Sequence, residues 1–133
     1  LCLAAAKWCL DEVIALGDAH PANAIRLGNK LMAGLRALAD QHGIPLRPQG
    51  PGLVFHCAVL KAGAAEGPIT SYRDYVQRHD APRWATIRRA LLEEGVRAIE
   101  RGLWFISLAH TDADIDEALE KAARAFARVA AQG

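Results

Sequence analysis

The sequence predicts an α+β fold, with helices packed on a small antiparallel sheet, and three observations predict it. Apolar residues recur at helical spacing through Leu27, Leu31, Leu35 and Leu38, and again through Ile115, Leu119, Ala122, Phe126 and Val129. Two β-prone runs lie around a Pro/Gly turn between Ile44 and Leu60, and further short β-prone runs precede Leu108. Helical and β-prone stretches are interleaved along the chain, with no internal repeat and no low-complexity segment.

Taken in order, Leu3, Ala6, Leu10 and Val13 predict an amphipathic helix from Leu1 to about Leu16, ending before Gly17, with Lys7, Asp11 and Glu12 elsewhere on its wheel. The chain starts without Met, a basic segment or a small-residue cleavage site, so it reads as a fragment whose first residue lies inside a helix. Ala19-His20-Pro21 places proline where a first helical turn tolerates it. The second helix then carries Leu27, Leu31, Leu35 and Leu38 with Met32 and Ala39, and stops at Gly43 and Pro45. The β-prone runs around the Pro/Gly turn predict a hairpin or two short antiparallel strands. Lys61 to Pro68 reads as a small-residue loop, and Ser71 to Asp80, polar with two tyrosines, as a surface connection. Asp80 is an N-cap for a helix with a buried stripe of Trp84, Ile87, Leu91 and Leu92, ending at Gly95. Val96–Ile99 and Leu103–Leu108 are predicted as short strands about the turn Glu100-Arg101-Gly102. Thr111 with Asp114 three residues later forms a capping box for the last helix.

Bulk properties narrow the class. A chain of 133 residues falls in the one-domain range and is long enough to bury a core. With 52% hydrophobic residues, a mean hydropathy of +0.05 and no apolar run near the roughly 20 residues of a membrane span, the expectation is a soluble protein. Sixteen Lys and Arg balance fifteen Asp and Glu and are scattered, so the basic footprint of a nucleic-acid or anionic-membrane binder is missing. The three cysteines, Cys2, Cys9 and Cys57, are odd in number and lack framework spacing; they read as free buried thiols in a reducing compartment, by default the cytoplasm.

Taken singly, the residues name no activity. Cys2 and Cys9 share a helix face but have no second pair at ligand spacing, so packing is expected rather than zinc. His56 and Cys57 are neighbours in a strand and point to opposite faces, one packed and one exposed. His110 reads as a capping or turn-fixing residue. Arg88-Arg89 and Glu93-Glu94 read as solvated charges paired along one helix. Arg101 and Trp104, beside a tight turn, are candidates to project into a cleft and contact an anionic or aromatic substrate; the alternatives are a solvated arginine and a core tryptophan. A glycine-rich phosphate cradle, a Ser/His/Asp order and a carboxylate pair do not stand out.

Read together, GLRALADQHGIPLRPQGPGLVF (Gly34 to Phe55), ALLEEGV (Ala90 to Val96) and above all SLAHTDADID (Ser107 to Asp116) resemble the C-terminal end of the class III pyridoxal-phosphate (PLP) aminotransferases, most of all the glutamate-1-semialdehyde aminomutase branch. The resemblance spans nearly the whole chain and weakens between Ala62 and His79. It implies a fold type I homodimer in which residues 1–20 end the helix linking a large and a small domain, and residues 21–133 form the small domain. PLP would be bound by the large domain, through a lysine that Lys7, Lys30, Lys61 and Lys121 do not match; no catalytic, cofactor or metal residue is carried over to this chain. The partners implied are the rest of its own chain, a second copy, and a small-molecule amino donor and keto acid.

Two departures bear on the substrate. Where many family members place a carboxylate-binding arginine before the last helix, the aligned residue is Trp104, which cannot form a bidentate pair, so Arg101 or the large domain would hold a carboxylate. The link from Val96 to Phe105 is shorter than in the aminomutases, and Arg101-Gly102 stands in the region of their Phe-Glu-Ala-Gly pattern. These shift the expectation from the mutase to transfer of an amino group between an amino acid or amine and a keto acid. The mutase itself and a non-catalytic interaction module are the alternatives.

Overall fold

A computed structural model describes residues 2–17 and 19–131. The elements run α1 (Cys2–Leu16), α2 (Ala19–Gln41), β1 (Leu46–Gln49), β2 (Val54–Val59), α3 (Tyr72–Arg78), α4 (Ala81–Glu93), β3 (Leu103–Phe105) and α5 (Asp112–Ala130). The three strands form one antiparallel sheet in the order β1-β2-β3. The α+β architecture is therefore as the sequence predicts, and Leu1 lies outside the described residues.

Register decides which side chains meet. Leu46 pairs with Val59, Pro48 with Cys57, and Phe55 with Trp104, and because cross-strand partners share a face these make the core side of the sheet. Leu27, Leu31, Leu35 and Ala39 of α2, Trp84, Ile87 and Leu91 of α4, and Ile115, Ala122, Phe126 and Val129 of α5 are buried with them. The intervening positions, Arg47, Gln49, Val54, His56, Ala58, Leu103 and Phe105, face the other way.

The punctuation behaves as the residues dictate. Gly43 ends α2 in the left-handed region (φ 63°), and the Ile44 amide donates to the Ala39 carbonyl at 2.8 Å. Asp80 accepts from the Arg83 amide at 3.0 Å. Thr111 and Asp114 close both halves of the capping box, the Asp114 amide donating to Thr111 Oγ1 at 3.3 Å and the Thr111 amide to Asp114 Oδ2 at 2.7 Å. At Gly28, α2 crosses so close to the β1–β2 turn that a Cβ would run into the Gly52 carbonyl.

Five expectations are corrected. Ser71 to Asp80 holds a helix, α3, capped by Ser71 Oγ and tied by an Arg78–Asp74 ion pair at 2.9 Å. It buries no side chain, so it carries no apolar period to read. Val96–Ile99 is not a strand: its backbone closes the end of α4, the Val96 amide donating to Leu91, and then the turn in which the Gly102 amide donates to Ile99. Leu92 is 60% exposed, and Ala90 takes its place in the buried stripe. The helix α1 buries nothing, so Cys2 and Cys9 are exposed and only Cys57 is packed. Finally, Glu93 and Glu94 pair across to Arg124 and Arg128 of α5 and not along their own helix.

Candidate functional site

A cleft of about 440 Å³ opens on the side of the sheet away from the core, between α3 and the start of β3. Gln49, His56, Tyr72, Tyr75, Arg101 and Leu103 line it, with residues 69–71. Its floor is held by the sheet register, which sets Gln49 opposite His56 and His56 opposite Leu103. Gln49 also clamps the loop before α3, donating from Nε2 to the Ile69 carbonyl at 2.7 Å and accepting from the Ile69 amide at 2.9 Å.

The helix α3 supplies the opposite wall. Tyr75 meets the half-buried ring of His56 edge-on, with centroids 5.0 Å apart, and stacks on His79 at 4.5 Å. Burial pushes His56 below the usual histidine range, against a hydrogen bond to the Arg101 backbone that pulls it up. Burial likewise lowers His79, whose Nδ1 has no partner among the described residues, and raises Tyr75, with Tyr72 adding and Arg101 opposing. The histidines therefore present neutral rings at physiological pH, and the charge at the cleft is that of Arg101.

Arg101 is exposed and, among the described residues, has no carboxylate at ion-pair distance. Its position rests on Gly102. At φ 80° the chain turns in the left-handed region, and a Cβ there would sit far inside 3.0 Å of the Cys57 carbonyl oxygen, so only glycine lets the turn lie against β2. The Cys57 amide donates to the Gly102 carbonyl at 2.8 Å, fixing that contact. A neighbouring cleft of about 460 Å³ shares Tyr75 and Arg101 and adds Arg88, Trp84 and His79.

The two substrate-contact candidates of the sequence do not share a cleft. Trp104 is 9% exposed on the core side, stacked on Phe55 with centroids 5.8 Å apart and planes 10° from parallel. Its edge reaches a separate cleft of about 290 Å³ beside Arg97, His110 and Lys121. His110 fixes a turn there, its Nδ1 accepting from the Ser107 amide at 2.9 Å. His56, Gln49, Tyr72 and Tyr75 are cleft residues that the sequence alone does not assign to a site. The signal available is the pair of tyrosines three apart behind Ser71-x-x-Asp74, the same capping spacing as Thr111-x-x-Asp114.

The four lysines of the chain are engaged within it. Lys7 pairs with Asp11, Lys30 with Asp112 and Asp116, and Lys121 with Glu117, while Lys61 donates to the carbonyls of Val76 and Gln77. None lines the Arg101 cleft, and Lys121 lines the cleft beside Trp104. Among the described residues no group of three or more His, Cys, Asp or Glu is placed to hold a metal, and no helix is long and apolar enough to cross a membrane.

No family model matches the chain. It is 36% identical over 110 residues to a glutamate-1-semialdehyde 2,1-aminomutase of Chloroflexus aggregans, covering 80% of this chain and 24% of that protein. Among solved structures it is similar to the PLP internal aldimine form of the FumI protein of Sphingopyxis sp. MTA144, at 27% identity and a TM-score of 0.67, covering 87% of this chain and 24% of that one. It is also similar to a β-phenylalanine aminotransferase from Variovorax paradoxus, at 26% identity and a TM-score of 0.61, covering 76% and 22%. The chain thus spans about a quarter of the length of the relatives it matches. By sequence over four-fifths of its length and by fold, the chain is similar to a segment of a glutamate-1-semialdehyde 2,1-aminomutase and of aminotransferases of the same fold.

Proposed function

We propose that this chain is the C-terminal small domain of a class III PLP-dependent aminotransferase that works as a cytoplasmic homodimer and moves an amino group between an amino acid or amine and a keto acid. The observation that carries the reading is the 36% identity to an aminomutase over most of the chain, joined to a cleft whose one free charge among the described residues is a cation. PLP, held by the larger part of the protein, supplies the electron sink for amino transfer. This chain supplies shape and charge around the substrate. Arg101 contacts a substrate carboxylate, and Tyr72, Tyr75 and Leu103 form an apolar wall beside it. His56 lies beside Arg101 in the lining of the cleft. Trp104 stands at the position that carries a carboxylate-binding arginine in many family members; in this reading it acts from behind the sheet through its stack on Phe55.

The test is amino transfer by the full-length protein with keto-acid acceptors, wild type against Arg101→Gln. A charge-assisted hydrogen bond is worth about 1.5–3 kcal/mol, so the variant is expected to raise KM for the carboxylate-bearing partner about 10- to 150-fold while kcat for a simple amine donor stays near wild type. Equal kcat/KM in the two proteins would remove Arg101 from the substrate, and no transfer with any acceptor would remove the aminotransferase reading. A second reading, intramolecular amino transfer, is favoured by the name of the aminomutase relative. It predicts turnover without an added keto acid.

A further inference from the structure

Helix α4 has two stripes of different kind. Trp84, Ile87, Ala90 and Leu91 are buried, while Ala85, Arg88, Arg89 and Leu92, spaced i, i+3, i+4 and i+7, line up on another side. The loop after the helix folds back beside that second stripe, held by the Val96 amide on the Leu91 carbonyl and the Gly102 amide on the Ile99 carbonyl. Between helix and loop lies a cleft of about 540 Å³, completed by Arg97 and Ala98. No Asp or Glu among the described residues lines it. The acids nearest in sequence, Glu93 and Glu94, are taken by Arg124 and Arg128 of α5. Among the described residues Arg88, Arg89 and Arg97 therefore have no carboxylate at ion-pair distance. Like charges on two walls of one cleft repel each other, and the low-dielectric walls concentrate their field on an anion that enters.

We propose that this cleft, with Arg88 and Arg89 on its helix wall and Arg97 on its loop wall, binds a small polyphosphate, a molecule carrying two or more linked phosphate groups. Charge sets the number of groups. A single phosphate carries about 1.5 to 2 negative charges at neutral pH, and two linked phosphates carry roughly three, which matches the three guanidinium groups. Shape sets the class. One guanidinium fork fills a planar carboxylate, whereas the tetrahedrally arranged oxygens of a phosphate accept from arginines on both walls. Leu92, 60% exposed, and Ala85 give the cleft an apolar edge for the organic part of such a molecule. The concave shape and size favour a small molecule. A nucleic-acid strand would need a basic track running beyond the cleft, which a chain of net charge +1 does not supply.

Calorimetric titration of the full-length protein with pyrophosphate, in a buffer free of phosphate and divalent metal, tests it. Arg89 and Arg97 are exposed, so Arg89→Gln and Arg97→Gln remove charge without opening the core. Arg73→Gln, at an exposed arginine of α3 outside the cleft, is the control. The expected result is one saturable site per chain, weakened about tenfold or more by Arg89→Gln and by Arg97→Gln and held within about twofold by Arg73→Gln. Pyrophosphate should also raise the thermal midpoint of the wild type and of Arg73→Gln more than that of the two cleft variants. Equal affinity in wild type and Arg97→Gln would overturn the proposal. Equal weakening by Arg73→Gln would overturn it as well, because binding would then follow net charge and not the cleft. Citrate, a polycarboxylate of similar charge, bound as tightly as pyrophosphate would overturn the assignment to phosphate. Binding is read directly, so the outcome is independent of whether the protein transfers amino groups.

Discussion

Replacing Gly102 by alanine separates two costs that usually arrive together. Gly102 and Gly63 both have positive φ, 80° and 73°, so alanine at either is strained by about 1–2 kcal/mol from backbone sterics. At Gly63 nothing lies within 4 Å of the added Cβ, and that strain is the whole expected loss. At Gly102 the Cβ meets the Cys57 carbonyl oxygen, which must retreat to at least 3.4 Å for ordinary contact. The movement pulls apart the 2.8 Å bond from the Cys57 amide to the Gly102 carbonyl, and a buried donor left unpaired adds about 1–3 kcal/mol. Gly102→Ala is therefore expected to cost about 2–5 kcal/mol, against a usual domain stability of about 5–15 kcal/mol. Urea unfolding of the two variants reads the difference as a shift in midpoint at constant slope. Losses that agree within about 0.5 kcal/mol would refute the claim that the turn bearing Arg101 is pressed against β2.

Burial lowers both His56 and His79, so the unfolded chain binds protons that the folded chain refuses. Their contribution is complete above the unfolded value near 6.5 and is lost as pH falls below it; thermal midpoints should be level near pH 8 and decline towards pH 5, and His56→Gln with His79→Gln should flatten that slope. In the 133-residue chain Cys2 and Cys9 should react with a thiol reagent at once. Cys57, buried and with its thiol pushed well above the usual range, should react only on unfolding. Thr111→Ala removes one side of the α5 capping box and should cost about 1 kcal/mol in the same unfolding assay; no loss would mean that Asp114 caps the helix alone.

How much of this was legible follows from which residues carry a period. The helices α2 and α5 bury a face on their own chain, so Leu27 to Ala39 and Ile115 to Val129 announce them, and Gly43 marks the end of α2 and Thr111 the start of α5. The short helix α3 buries nothing and was hidden, although its Ser71–Asp74 cap has the spacing read correctly at Thr111. The cleft was half legible: Arg101 is there, but Tyr75 and His56 come together only once α3 exists. Trp104 shows the deeper limit. Strand parity puts Trp104 opposite to Leu103 and Phe105, yet Leu103-Trp104-Phe105-Ile106 is apolar at every position, so alternation cannot say which face is core. Only the Phe55–Trp104 partnership assigns it. A continuous apolar run is what a strand buried on both faces requires, and this chain buries only one. The ambiguity in the sequence and the uncovered sheet face thus have one physical origin, a strand composed for a neighbour on each side.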